Sequence, residues 1–241
     1  MPTQLSIVVP LFDEADNVQR LASEIHAAFH PEPIEYEIVL VDDGSRDRTW
    51  DAIQHARQGD PRVRGLRLSR QSGQSAALWT GLQAARGSIL ATLDGDLQND
   101  PADLPRLLRE LPGYDLVQGV RARRQDTWLR RVSSRFAARA RRIALGARFR
   151  DTGCAVRVFP RSTLSLVFGF NGLHRFFPIL VQGGGGQVRE SMVNHRPRVA
   201  GRSKYGVWNR LGRGLFDLVA MAWYQRRRFP PIAVTEADSN A

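Results

Sequence analysis

Apolar and polar positions along the first half of the chain repeat in a strand-then-helix order. "LSIVVP" (5–10) is a continuous apolar run of strand length. It is followed by "ADNVQRLASEIHAAF", where Val18, Leu21, Ile25 and Phe29 fall on one helical face. "EYEIVLVDD" predicts a second buried strand, running into "GSRDRTWDAIQHA", a turn and a helix that Asp47 is placed to cap. "VRGLRL" predicts a third strand and "SGQSAALWTGLQAA" a third helix. "SILATLD" predicts a fourth strand, "PADLPRLLREL" a proline-started helix, and "DLVQGV" a fifth strand. The alternation predicts an α/β fold built on a mostly parallel sheet with helices on both faces.

After about residue 120 the rhythm changes. "RARRQDTWLRRVSSRFAARARRIAL" has the pattern of a long arginine-rich helix, while "TGCAVRVF" and "QVRESMVNHRPR" resemble strands. "QGGGGQ" (182–187) predicts a turn. "VWNRLGRGLFDLVAMAWYQRRR" predicts a helix with Trp208, Leu211, Leu215, Leu218, Val219 and Ala222 on one side. This last segment suits either a packed core helix or one lying in a membrane interface. No internal repeat or linker divides the chain, so residues 1–225 are expected to form one domain. Residues 226–241 form a basic-then-polar tail, expected to be disordered.

Charge sharpens this division. Of the 241 residues, 1–115 carry a net charge of −7 and 116–241 a net charge of +18. Lys204 is the single lysine among 35 basic residues. A basic half calls for an anionic partner: nucleic acid, a phosphorylated ligand or an acidic membrane surface. One cysteine, Cys154, excludes an intramolecular disulfide framework and points to a reducing cytoplasm. The N-terminus has no basic region before its short apolar run, so no signal peptide is expected. No stretch reaches the ~18 apolar residues of a membrane span. The longest candidate, "LFDLVAMAWY", contains Asp217.

In a parallel sheet with helices on both faces, ligands bind beyond the carboxyl ends of the strands. Three of those ends carry acids: Glu14 after the first, Asp42 and Asp43 at the second, Asp94 and Asp96 at the fourth. Residues i and i+2 of an extended segment share a face, so Asp94 and Asp96 project together, with Gly95 leaving the surface between them clear. At about 5 Å and an effective dielectric of about 20, two carboxylates repel by about 3 kcal/mol, so a positive charge is expected between them. Two carboxylates, with the Gln98 amide oxygen as a third donor, suit Mg²⁺ or Mn²⁺ held together with substrate phosphates. As a bare pair they are equally compatible with a solubilising turn.

Phe12 is a candidate to stack on a base and Glu14 to accept from a ring or ribose, although Asp13 or Asp16 also suits a helix cap. "RQSGQSAAL" is a weak phosphate seat at a helix start. "RPRVAGRSKYG" (196–206) gathers arginines, Lys204, Ser203 and Tyr205 around Gly201, a set suited to phosphate oxygens. His174 and His195 lack metal-ligand spacing, and Cys154 is expected to be buried.

Taken in order, "LSIVVPLFDEADNV", "EIVLVDDGSRDRTWDAI", "LSRQSGQSAALWTGLQAARGSILATLDGDLQNDP", "DTGCAVRVFPR" and "HRPRVAGRSKYG" resemble family 2 glycosyltransferases of the GT-A fold. The nearest subgroup is the dolichyl-phosphate mannosyltransferase-like enzymes, which load a sugar onto a polyprenyl phosphate. The likeness spans about residues 4 to 225. It implies that Pro10, Phe12, Glu14, Val41 and Asp43 hold the nucleoside and that Asp94, Gly95, Asp96 and Gln98 form the D-x-D-x-Q set for metal and diphosphate. It further implies that Arg121, or Arg123 or Arg124 beside it, and Arg202 with Lys204 meet phosphate. Asp94, Asp96, Arg202 and Lys204 then carry the chemistry.

Asp13 replaces a common Asn, Gln71 a usual Asn and Gly95 a usual Ala; none of these removes a needed charge. The Q-x-x-R-W motif of processive synthases is absent. The implied reaction is metal-dependent, inverting transfer from a GDP-mannose or UDP-hexose donor at the cytoplasmic face of a membrane. Contact there is through anionic lipid or a small anchoring protein. Transfer to a sugar or protein hydroxyl, nucleotidyl transfer and nucleic-acid binding are the competing readings. The acidic rim argues against nucleic acid.

Overall fold

The computed structural model describes residues 3–122, 146, 149–197 and 207–229, with backbone only over 207–215. Seven strands form one sheet: β1 (Leu5–Leu11), β2 (Tyr36–Asp42), β3 (Val63–Arg67), β4 (Ile89–Thr92), β5 (Leu116–Arg121), β6 (Arg157–Pro160) and β7 (Val188–Val193). Their spatial order is 3-2-1-4-6-5-7. β1 to β4 pair in parallel, and β7 pairs in parallel with β5. Only β6 runs the other way, inserted between β4 and β5. The five strands expected of the first half are therefore present, but β5 does not neighbour β4.

The helices are α1 (Ala15–Phe29), α2 (Thr49–Gly59), α3 (Gln74–Ala84), α4 (Leu104–Arg109), α5 (Leu173–Gly183) and α6 (Val207–Arg227). They cover both faces of the sheet. Leu5, Ile7, Val9 and Leu11 of β1 point into a core with Val18, Leu21, Ile25 and Phe29 of α1, Ile53 of α2 and Leu104 and Leu107 of α4. Val8, Val39 and Val41 point the opposite way, into a core with α3, α5 and Met221 of α6. The period-two alternation along each strand divides its side chains between these cores. Each fully buried Ile, Leu or Phe contributes about 1.5–3 kcal/mol.

Two elements differ from the sequence expectation. The "PADLPRLLREL" segment begins as a 3₁₀ turn over Pro101–Asp103, in which the Asp100 carboxylate accepts from the Ala102 amide at 3.1 Å, before six residues of α4. Helix α5 was not expected, because Pro178 lies inside it. Proline has no N–H to offer the carbonyl four residues back, that of His174. The guanidinium of Arg157 on β6 takes that carbonyl instead, at 2.6 Å. A buried arginine thus replaces the missing helix bond.

In α6, Leu218 and Ala222 pack on the core as expected, but Val219 is exposed. Trp208, Leu211 and Leu215 lie outside the described side chains. So do the arginine-rich segment beyond Ala122 and the C-terminal tail after Phe229.

Candidate active site

The carboxyl ends of β1, β2 and β4 meet on one rim, and the loops beyond them are tied together through backbone amides. The Asp43 amide donates to the Leu11 carbonyl at 2.8 Å, joining the ends of β2 and β1. Asp13 adopts a left-handed φ of +48°, its amide donates to Ser45 Oγ at 2.9 Å, and its carboxylate accepts from the Arg46 amide at 2.8 Å. Asp13 therefore pins the β2 loop rather than capping α1. The Glu14 amide donates to Thr49 Oγ1 at 2.8 Å, and the Glu14 carboxylate accepts from Asn17 at 2.6 Å. Asp47 accepts the Thr49 amide at 2.9 Å from one residue before the α2 cap position, which Arg48 occupies without a side-chain bond, so the expected cap is displaced.

Asp42 and Asp43 are both buried and are engaged by the chain itself. Asp42 accepts the Ser45 amide at 2.9 Å, and Arg67 Nε lies 3.1 Å from its second oxygen. Asp43 accepts the Ser72 amide at 2.7 Å and the Gly73 amide at 2.8 Å. Burial pushes the Asp43 carboxyl up, and these two amides oppose that shift. Gly44 sits at φ +66° directly under this loop, where a Cβ would come within 2.6 Å of the Gln71 nitrogen. The weak phosphate seat of the sequence is therefore a loop held by Asp43. Val41 is fully buried, its side chain set against Gly81 of α3. Phe12 and Pro10 are half-buried at the end of β1.

The β4 end differs. Gly95 is buried against β1, and a Cβ there would meet Leu11 Cδ2 at 2.3 Å. The loop therefore crosses β1 closely, with Asp94 and Asp96 half-buried on either side. Leu97 takes a left-handed φ of +59° and is buried, completing the tight turn. Asp94 is pushed up to about 6, first by burial and second by the charge of Asp96. Gln74 at the start of α3 donates to Asp94 at 2.7 Å, and the buried Asn99 side chain also bonds it. Asp96 accepts the Gln98 amide at 3.2 Å. The donor set is two carboxylates and one amide oxygen, all hard oxygen ligands, and the mutual repulsion of the acids is what a divalent cation relieves.

The floor behind Asp94 is basic. Arg157, 1% exposed, donates to Gln118 Oε1 at 2.8 Å and lies over the Phe177 ring. Burial brings it down to about 10, so it stays charged at neutral pH, and its charge favours ionised Asp94. Arg121 forks onto Asp151 at 2.6 and 2.9 Å and adds to the same field. Sequence reasoning missed Arg157. Its signal was an arginine inside the apolar run "AVRVF". His174, also unassigned, shares a 2.7 Å bond with Ser75 Oγ and accepts from Arg175 at Nε2. Arginine can only donate, so the imidazole proton lies on Nδ1 and points at Ser75. Burial, Arg175 and Arg157 push this histidine down to about 3.

The chain after β7 is laced to the acidic loop. Asn99 and His195 form an antiparallel bridge, the Arg196 amide donates to the Gln98 carbonyl at 2.8 Å, and Arg196 itself pairs with Glu24 and Asp100. Arg196 is thus a clamp that leads directly into the basic motif. Arg202, Lys204, Arg123 and Arg124 lie outside the described residues. Cys154 is buried, as expected, and pushed up to about 11. Among the described residues no three His, Cys, Asp or Glu side chains gather as a metal cage.

The fold is that of GT-A glycosyltransferases. Solved structures with the same arrangement include mannosyl-3-phosphoglycerate synthase from Rubrobacter xylanophilus, with a TM-score of 0.70 and 17% identity, covering 98% of this chain and 79% of that one. Another is a mannosyltransferase from Pyrobaculum calidifontis in complex with GDP-Man and Mn²⁺, with a TM-score of 0.68 and 20% identity, covering 96% and 68%. The model of glycosyl transferase family 2 matches residues 6–165, and the chain belongs to that family.

Relatives include a dodecaprenyl-phosphate galacturonate synthase from Rhizobium johnstonii, 36% identical over 95% of this chain and 69% of the relative. An undecaprenyl-phosphate 4-deoxy-4-formamido-L-arabinose transferase from Pseudomonas aeruginosa is 39% identical over 89% and 64%. The chain therefore spans about two thirds of the length of these relatives.

Proposed function

We propose that this protein is an inverting glycosyltransferase that moves a sugar from a GDP- or UDP-sugar to a polyprenyl phosphate at the cytoplasmic face of a membrane. In this reading residues 1–225 act as one catalytic domain. The observation that carries it is the pair Asp94 and Asp96 on the ligand-binding rim, where burial and the charge of Asp96 push Asp94 up to about 6. The names of the relatives support a polyprenyl-phosphate acceptor. The Mn²⁺ and GDP-Man of the Pyrobaculum structure support a metal-bound nucleotide donor.

Asp94, Asp96 and Gln98 are the residues that would hold Mg²⁺ or Mn²⁺. When bound, the ion would supply positive charge toward the diphosphate leaving group. Pro10, Phe12 and Glu14 frame the nucleoside end with the backbone at Val41, Asp43 holds the neighbouring loop in place, and Gly95 lets the acidic loop lie close on Leu11. Arg202 and Lys204 meet the charge that grows on the leaving diphosphate, which favours the transition state over the bound substrate. The acceptor phosphate is already anionic near neutral pH, so its oxygen attacks without a general base and the anomeric centre inverts.

The test is transfer of labelled sugar from a panel of GDP- and UDP-sugars to undecaprenyl phosphate, with Mn²⁺ and with chelator. Metal-dependent transfer from one donor is the expected result. Transfer only to sugar or protein hydroxyls would move the acceptor to the soluble class. Salt-sensitive DNA retention without donor binding would replace the reading altogether.

A further inference from the structure

Over its described side chains, residues 216–227, helix α6 packs on the molecule by one side. Met221 is buried, while Leu218, Ala222 and Tyr224 lie against the core formed with α3 and α5. Arg228 reaches the carbonyls of Leu166 and Leu180 at 3.2 and 3.3 Å. The other side leaves Phe216 75%, Val219 63% and Trp223 64% exposed, with Phe229 beyond them at 83%. Spacings of three and four residues place the first three in one stripe. Arg226 and Arg227, both exposed, continue it by one turn, along a shallow groove whose wall includes Ala222 and Trp223. Isolated apolar side chains are ordinary on a protein surface, but a contiguous aromatic stripe marks a contact surface.

The position of the stripe bears on what it contacts. Asp217, next to Phe216, comes within 3.3 Å of where a Cβ on Gly172 would sit. The Gly172 amide donates to Ser75 Oγ at 3.1 Å, and the adjacent Gln74 holds Asp94. The exposed face therefore begins a few contacts from the acidic rim. Charge identifies the partner. Residues 207–229 carry five arginines and one acid. A second copy seated in a two-fold contact would bring these like charges together. A bilayer with anionic headgroups instead accepts aromatic rings at its acyl boundary and guanidiniums among its phosphates.

We propose that Phe216, Val219 and Trp223 seat this protein on an anionic bilayer, with Arg226 and Arg227 against the lipid phosphates. The inference rests on the lipid-phosphate acceptor proposed above and adds the surface through which the chain meets that lipid. The experiment is flotation with phosphatidylcholine vesicles, with and without phosphatidylglycerol, alongside calorimetric binding of Mn²⁺–nucleotide in solution. The chain is expected to float with the anionic vesicles only, and less at raised salt. F216S/W223S should abolish flotation, and R226Q/R227Q should weaken it about thirtyfold. All these positions are exposed, so both variants should bind Mn²⁺–nucleotide like the wild type. Absence of flotation, or variants that float unchanged, would overturn the inference. A dimer that F216S/W223S dissociates would overturn it in favour of a second copy. Intact nucleotide binding without flotation removes this surface alone. Flotation without nucleotide binding removes the glycosyltransferase reading and leaves the surface standing.

Discussion

Two pairs of aspartates stand on the same rim and have different fates. Asp42 and Asp43, at the end of β2, are adjacent and diverge, and each is met by backbone amides: Ser45 for one, Ser72 and Gly73 for the other. Asp94 and Asp96, at the end of β4, are two apart, and burial together with the charge of Asp96 pushes Asp94 up to about 6. The first pair is engaged by backbone amides and by Arg67 and shapes the rim. In the second, Gln74 and Asn99 hold Asp94 against the charge of Asp96, a repulsion that a bound cation would relieve.

The largest effect should follow from breaking the second pair. Asp96→Asn is expected to lower sugar transfer about 10²–10³-fold while leaving the melting temperature within a few degrees, measured by turnover and thermal unfolding. Transfer near the wild-type rate would remove the metal role. Breaking the first pair should do the reverse. Asp43→Ala strands two amides and is expected to cost about 2 kcal/mol of stability by denaturant titration. A change in donor affinity without a loss of stability would show Asp43 to be a ligand contact rather than a tie.

How far the sequence showed this contrast depends on the kind of interaction. The alternating apolar runs identified β1 to β5 and α1 to α3 because burial on both faces of a sheet leaves a local periodic signature. The Asp–Gly–Asp spacing and its shared face were legible for the same reason. The amides that occupy Asp43 come from a loop thirty residues further on, and no local pattern records that pairing. The insertion of β6 between β4 and β5 is likewise non-local. Helix α5 was hidden by Pro178, since the Arg157 guanidinium that takes the freed His174 carbonyl comes from β6, a separate element of the sheet. Val219 was misplaced because a stripe facing outward has the same period as one facing the core.

Two smaller effects sharpen the picture of the floor and the loop. His174 is neutral when folded and is held down to about 3, whereas the unfolded imidazole protonates near 6.5. Its contribution to stability is therefore complete above about 6.5 and is lost as the pH falls toward 3, the loss amounting to about 3 kcal/mol by pH 4.5. His174→Asn, which keeps a donor toward Ser75, should flatten the acid side of the stability curve. An unchanged slope would place the acid sensitivity elsewhere. Gly95→Ala brings a methyl against Leu11 and is expected to cost about 1 kcal/mol, partly recovered by adding Leu11→Val. Independent, additive effects of the two substitutions would contradict the close crossing of β1.

The central claim is that Asp94 and Asp96 together hold a divalent ion against a nucleoside diphosphate. Calorimetric titration of GDP and UDP into the protein, with Mn²⁺ and with chelator, for the wild type, Asp94→Asn and Asp96→Asn, tests it directly. The account predicts binding of one nucleotide that requires Mn²⁺ and is lost in both variants. Equal binding with chelator, or Mn²⁺-dependent binding that survives both substitutions, would contradict it.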